Sequence, residues 1–370
     1  MKKTLNRFYH ANILALAALV CISIVLSGCT NSEKKEKSTE ARADSTAEVR
    51  EVISFEGVQV TGLSVSDKGR IFANFPRWRE GVPFSVVEVN EADGSYDVYP
   101  NKTFNSWTIG ETPRDSAFVG VQSVVVHKDM LYVLDTRNPL FQGIIEEPRV
   151  YVFDLNNDEL AQIYVIDSSA VKPKSYVNDL RVDEKRNKIY LTDSGEAGLI
   201  IINMQNGNVS RVLDNHPSTM AETDHLTIDG KRWENKTHSD GIALDSKNNR
   251  LYYHALTGYS LYYVDTEVLD GSDTAIQSAV KFVRKTSAPD GMILDDAGNL
   301  YYADLENHKI NYLTPAGEVK TLVEGEEVRW ADTFSIYDGF LYYTNSRIHE
   351  ASGDVSGMQF PIQKVSLPEA

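Results

Sequence analysis

One phrase recurs six times along this chain, and a repeat of that kind limits the possible folds more than any single motif. Each copy has one or two polar or small residues, an apolar stretch, a turn, and a strand rich in Leu, Tyr and Val. The copies read VTGLSVSDKGRIFANF from Val60, VQSVVVHKDMLYVLDT from Val121 and VNDLRVDEKRNKIYLTDS from Val177. They continue as SDGIALDSKNNRLYYHAL from Ser239, PDGMILDDAGNLYYADL from Pro289 and ADTFSIYDGFLYYTNS from Ala331. Alternating apolar residues around a turn of Gly, Asn, Asp or Lys predict a β-hairpin in each copy. A third strand follows every hairpin, as FSVVEV (84–89), RVYVFDL (149–155), LIIINM (199–204), SLYYVDT (260–266), KINYL (309–313) and IQKVSL (362–367). Five copies add a fourth strand and the sixth does not, while VREVISF (49–55) stands unassigned ahead of the first hairpin. These units predict an all-β chain folded as a six-bladed β-propeller, its ring closed by residues 49–55 pairing beside 362–367. Two β-sandwiches would explain neither the repeat nor the missing strand.

The segment ahead of the repeats has a different character. Lys2, Lys3 and Arg7 precede a fourteen-residue apolar run, Ile13 to Leu26, too short to span a bilayer comfortably but suited to a signal-peptide core. It ends in Leu26-Ser27-Gly28-Cys29, which resembles a bacterial lipobox. Residues 1–28 are expected to be a lipoprotein signal peptide, and Cys29 the lipidated residue that anchors an exported protein to the cell envelope. Residues 29–48 are small, polar and charged and predict a flexible tether, which leaves 49–370 for the propeller. Cys21 and Cys29 are the only cysteines, so the propeller is expected to lack disulfides and thiolate metal sites.

Charge excludes one class of partner. The formal charge is −16, and the three leader cations are part of that sum, so the remainder is more acidic still. Such a surface repels phosphate backbones, and no Lys/Arg cluster offsets it, so nucleic acid is not an expected partner.

The candidate site comes from aligning the repeats. The first polar position of each inner strand forms a column of Thr61, Gln122, Asn178, Asp240, Asp290 and Asp332, and the next column holds Gly62, Ser123, Asp179, Gly241, Gly291 and Thr333. All six residues of the first column carry oxygen. Two readings fit them: groups that bind water in a channel, or a site for a hard divalent cation such as calcium. On the second reading Asn178, Asp240 and Asp290 are the metal ligands, and Asp240 and Asp290 the candidate catalytic carboxylates. A polar insertion, residues 215–237, precedes the fourth hairpin and reads equally as a loop that shapes a binding mouth or as surface filler. The chain has no HExxH, GxSxG or P-loop pattern.

GVQSVVVHKDMLYVLDT, YVNDLRVDEKRNKIYLTDSGEAGLIIINMQNGNVSRVLDNHPS, DGIALDSKNNRLYYHALTGYSLYYV and WADTFSIYDGFLYYTNSRI resemble, in order, the major royal jelly protein/yellow family. The resemblance implies a six-bladed propeller whose channel holds small aromatic amines in some members, with dopachrome conversion linked to some insect ones. It places ligand contacts at Trp330-Ala331-Asp332-Thr333-Phe334 and Thr344-Asn345-Ser346-Arg347-Ile348, hence at Asp332, Thr333, Phe334 and Ser346. Ser346 stands where that family has asparagine. PDGMILDDAGNLYYADLENHKI is similar to the gluconolactonase/regucalcin family, which hydrolyses sugar lactones on a divalent cation. That likeness carries Asn178 and Asp290 over directly and Asp240 in place of an asparagine, but puts Thr61 where a glutamate ligand is needed. Three readings follow: a small organic ligand, such as an aromatic amine, at the channel mouth; a calcium-dependent lactone hydrolase; or a non-catalytic propeller that binds another protein.

Overall fold

The computed structural model describes residues 48–368, so the expected leader over 1–28, Cys29 and all of the 29–48 tether but Glu48 lie outside the described residues. The described residues form six four-stranded antiparallel sheets, a two-stranded hairpin and one α-helix, and these six sheets are the blades of a β-propeller. Blade 1 runs Gly62–Val65, Ile71–Asn74, Val86–Asn90 and Ser95–Val98 from the channel outward. Blades 2 to 5 repeat this consecutive order, beginning on the inner strands Val121–His127, Val177–Asp183, Ser239–Asp245 and Met292–Leu294.

Blade 6 is assembled from both ends of the described chain. Ala331–Tyr337, Phe340–Asn345 and Gln359–Ser366 supply its first three strands, and Val49–Glu56 the fourth. Val49 pairs with Val365, Phe55 with Phe360 and Glu56 with Gln359, antiparallel. The closing strand buries Val52, Ile53 and Phe55, which pack with Phe360, Ile362 and Tyr342 of blade 6 and Leu63, Ile71 and Phe75 of blade 1. Removing it would strip one whole face of that layer.

The core is a series of such layers, one between each pair of neighbouring blades. Blades 1 and 2 enclose Phe72, Tyr99, Phe118, Leu131, Tyr151 and Phe153, and blades 2 and 3 enclose Leu134, Val150, Leu180, Ile189, Leu191 and Ile200. Side chains alternate along each strand, so each sheet buries both faces, one against each neighbour.

Two local devices aim the channel residues. The pairing between the first two strands shifts register at Val121/Ser123, Val177/Leu180, Ser239/Ile242 and Ala331/Phe334, so the column residues of blades 2, 3, 4 and 6 sit in β-bulges. A bulge leaves its extra residues unpaired and re-aims them. In blades 1 and 5 the inner strand starts later, at Gly62 and Met292, and the column residue belongs to the preceding loop. The second device holds those loops. Asp135 accepts from the Val119 and Gly120 amides at 2.8 and 2.7 Å, Asp193 from the Tyr176 amide at 2.9 Å, and Asn345 from the Trp330 amide at 2.9 Å. The Asp or Asn that ends the second strand of the phrase is therefore a clamp on the chain feeding the mouth.

The 215–237 insertion holds the hairpin His225–Ile228 and Lys231–Glu234. Asp273–Ala279, which links the last two strands of blade 4, is the α-helix, capped by Ser272, and its buried Ile276 packs into the layer between blades 3 and 4.

Candidate ligand site at the channel mouth

The floor of the mouth is built where blades 4, 5 and 6 meet. Each of the first two contributes an Asp-Gly pair, and the glycine is what lets the next blade approach. A Cβ on Gly241 would lie 2.7 Å from the carbonyl oxygen of Asp290, and one on Gly291 would overlap the carbonyl of Asp332. No side chain fits either position. The close approach gathers Asp240, Asp290 and Asp332, all buried, around one end of the channel.

These carboxylates form a linked set. Asn178 Nδ2 donates to Asp240 Oδ1, the Asp240 carboxyl adjoins that of Asp290, and Trp330 Nε1 donates to Asp290 Oδ2 at 2.6 Å. Asp332 Oδ2 is buried beside the Ser346 hydroxyl, and neither atom has a further hydrogen-bond partner among the described residues. Burial, and then the adjacent acids, push the carboxyls of Asp240 and Asp332 well above the usual range. Burial raises Asp290 to about 7 against the opposing pull of the Trp330 donor. Three buried acids with one donated indole and one amide are under-neutralised, and a protonated or cationic partner relieves them.

Above this floor is a cavity of about 700 Å³ with aromatic walls. Trp78, Phe141 and Tyr176 stand on the side of blades 1 to 3, and Trp233 and Trp330 on the side of blades 5 and 6. Trp78 stacks on Phe141 at 5.5 Å, and Trp78 Nε1 donates to Tyr176 Oη, which donates to Gln122 Oε1 at 2.7 Å. Trp233, from the insertion hairpin, meets Trp330 edge-on at 4.9 Å, so the insertion does form part of the mouth. Arg79 completes the wall: its Nη2 donates to Gln59 Oε1 at 2.9 Å and to the Ala351 carbonyl at 3.1 Å, and its Nη1 is buried without a partner among the described residues.

The sequence-derived residues divide between two places. Gln122, Asn178, Asp240, Asp290 and Asp332 line the mouth, with Ser346 buried behind Asp332. Thr333 and Phe334 do not join them, which corrects the expectation of one shared site. They line a second cavity, of about 680 Å³, at the other end of the inner strands, among Val65, Val124, Leu244 and Ile293. The two places still touch, because Thr333 Oγ1 reaches Asp332 Oδ1 at 3.5 Å from the far side of the floor. Between the cavities Arg181 donates to Asp179 Oδ2 at 2.9 Å and reaches across to the Met292 carbonyl at 2.8 Å, while Ser123 donates to Asp179 Oδ1 at 2.7 Å.

Thr61 departs from its column as well. It is fully buried, its hydroxyl accepts from Asn74 Nδ2, and Gln59 takes its place on the cavity wall. Trp78, Arg79, Phe141 and Tyr176 lie outside the aligned hairpins and were not legible from the repeat. Phe141 is presented by a loop in which Arg137, Leu140 and Phe141 all have left-handed φ, of 50, 59 and 55°. Strain of that kind at a mouth marks a shaped surface, but it is visible only in the backbone.

Among proteins of known sequence, major royal jelly protein 1 of Apis mellifera is 25% identical over 292 residues, covering 71% of this chain and 67% of that protein. Major royal jelly protein 3 of the same bee is 26% identical over 215 residues, covering 52% of this chain and 40% of the relative. The chain thus spans from two fifths to two thirds of the length of these relatives. Among solved structures, a luciferin-regenerating enzyme superposes with a TM-score of 0.56 at 12% identity, covering 87% of this chain and 95% of that one. A gluconolactonase from Xanthomonas campestris does so with a TM-score of 0.54 at 12% identity, covering 87% and 90%. At such identity the superpositions speak for the six-bladed fold alone. The family model for the major royal jelly protein matches residues 119–353, from blade 2 into the last blade, and the chain belongs to that family.

Proposed function

We propose that this protein is an exported, Cys29-lipidated member of its family that binds a small aromatic amine at the channel mouth. One observation carries the ligand reading. Asp332 presents a buried, unpartnered carboxylate oxygen to an aromatic-walled cavity, with Asp240 and Asp290 beside it. An ammonium group fits such a floor, offering three donors and a charge, while indole and phenol faces hold the ring and the cation is favoured near them. Ser346 Oγ backs the Asp332 carboxylate, and the free Nη1 of Arg79 offers a donor to an acceptor elsewhere on the ligand. The proposed ligand contacts are therefore Asp332, Asp290 and Asp240, with Ser346 orienting Asp332 from behind.

Calorimetric titration with tyramine and with 4-ethylphenol, which keeps the ring and lacks the ammonium, tests this reading. Tyramine is expected to bind at least tenfold more tightly, and Asp332→Asn to remove that preference. Equal affinities for the two compounds would sink the reading.

The calcium reading keeps one observation, the contact chain Asn178–Asp240–Asp290. Against it, calcium ligands lie about 2.3–2.6 Å from the ion, so the oxygens of one site crowd together. Asp240, Asp290 and Asp332 do not bring three carboxylate oxygens within 4.8 Å of one another. A melting temperature that rises with calcium and loses that response in Asp240→Asn/Asp290→Asn would move the metal to the front. Lipidation has its own check: a palmitate analogue should label the wild-type chain and not Cys29→Ala.

A further inference from the structure

Outside the floor, a second group of donors converges on the rim. Asp229 occupies the tip of the insertion hairpin with φ of 52°, and His349 and Glu350 lie in the loop after the second strand of blade 6. The donor atoms of these three residues all lie within 4.8 Å of one another. The His349 side chain is only 8% exposed, and neither ring nitrogen has a hydrogen-bond partner among the described residues. A buried imidazole with both nitrogens unsatisfied is costly. Its Nε2 nevertheless faces Glu350 Oε1 at 3.5 Å and Asp229 Oδ2 at 3.8 Å. Two ligands about 2.0–2.1 Å from a tetrahedral zinc ion are separated by roughly 3.4 Å, so these gaps have the size a metal spans.

The surroundings support the same chemistry. His308 Nε2 bonds Asp229 Oδ1 at 2.8 Å and Arg347 Nε bonds Glu350 Oε2 at 2.6 Å, each orienting a carboxylate whose other oxygen points inward. That is how outer groups commonly fix metal ligands. The inward oxygens are bridged by Arg329 Nη2, which donates to Asp229 Oδ2 at 2.5 Å and to Glu350 Oε1. A guanidinium thus takes the place of a cation. Its Nη2 is spent on the two carboxylates, and both ring nitrogens of His349 stay without a partner among the described residues.

We propose that Asp229, His349 and Glu350 form a site for a divalent transition metal of the zinc class, which Arg329 vacates when the metal binds. Histidine nitrogen with two carboxylates selects such an ion over calcium. Because Asp229 belongs to the hairpin and the other two to blade 6, the metal staples the insertion onto the ring. His349 stacks on Trp330 at 5.6 Å, Trp330 contacts Trp233 of the hairpin, and Trp330 also holds Asp290. The staple therefore fixes one aromatic wall of the mouth.

Zinc titration of the purified full-length protein, read by calorimetry and by melting temperature, tests the assignment, with cobalt as a spectroscopic substitute. One zinc equivalent is expected to bind and raise the melting temperature, cobalt to give a visible ligand-field band, and hydrogen exchange to slow across residues 225–234. His349→Ala and Asp229→Asn should each weaken zinc binding at least tenfold, and Arg329→Gln should tighten it about tenfold, the reverse of what damage to the fold produces. Zinc binding unchanged in His349→Ala and Asp229→Asn, or absent even in Arg329→Gln, overturns the proposal. Asp332→Asn separates this site from the amine site: it should abolish the tyramine preference and keep zinc binding. Loss of zinc binding in that variant would place the metal on the floor and overturn the rim site.

Discussion

Blades 1 to 3 and blades 4 to 6 bring the same structural position to the mouth and do opposite things with it. The first half offers neutral groups that are already engaged: Gln122 accepts from Tyr176, Asn178 donates to Asp240, and Thr61 is sealed against Asn74. The second half offers Asp240, Asp290 and Asp332, brought together by Gly241 and Gly291, with one oxygen left unserved. Cationic Arg79 belongs to the neutral half and the acids to the other, so the cavity is polarised across its width. A repeat fold keeps its backbone nearly constant from blade to blade. Local differences in a single column are therefore enough to turn a symmetric pore into a directional site.

The largest expected effect comes from opening the seam between the two halves, which lies where blade 6 meets blade 1. Deleting residues 49–56 exposes the layer covered by Val52, Ile53 and Phe55. At about 1.5–3 kcal/mol per buried apolar side chain, the loss rivals a domain's whole stability of about 5–15 kcal/mol. The truncated chain should lose its cooperative melting transition, and an unchanged transition would contradict ring closure by that strand.

Next in size is Gly291→Ala, which drives a methyl into the Asp332 carbonyl and should cost about 3 kcal/mol in chemical denaturation. The matching position in blade 2, Ser123→Ala, loses one hydrogen bond to Asp179 and should cost about 1 kcal/mol. Equal costs would mean that the acid half is not held together by close strand approach.

The third effect depends on pH. A carboxyl whose folded-state pKa is raised adds stability that is fully present below the ordinary carboxylate range and fades as pH rises through the raised value. For Asp290 that window runs from about 4 to about 7. Ligand-free protein should therefore lose roughly 2–4 kcal/mol between pH 5 and pH 8, and Asp290→Asn should flatten the slope. A profile unaffected by that substitution would remove the charge asymmetry between the halves. Smallest is Tyr176→Phe on the neutral side, expected to cost about 1 kcal/mol for the lost hydroxyl bonds and to leave the pH profile unchanged.

Much of this was legible before any coordinates. Hairpins have local signatures, in turn residues, alternation and β-branched strands, and six of them in series leave few architectures. The closing strand followed from counting. Asp240, Asp290 and Asp332 emerged from alignment because a bulge repeated in most blades puts equivalent residues in equivalent places. Alignment failed where that equivalence breaks: at Thr61, whose hydroxyl is taken by Asn74 while Gln59 lines the wall, and at Thr333 and Phe334, which line the far cavity. It was silent on Trp78, Arg79, Phe141 and Tyr176, which come from loops with no repeat to align.

The sequence by itself determined the number of blades, the strand order and the carboxylate column, because these rest on short-range pattern and periodicity. Only the tertiary structure decided which end of the channel each side chain serves, which oxygens and nitrogens are left unpaired, and that the insertion hairpin meets blade 6 at Asp229. Those features depend on contacts between residues about a hundred or more positions apart, such as Asp229 with Arg329 and Arg181 with Met292. No local propensity encodes contacts of that range.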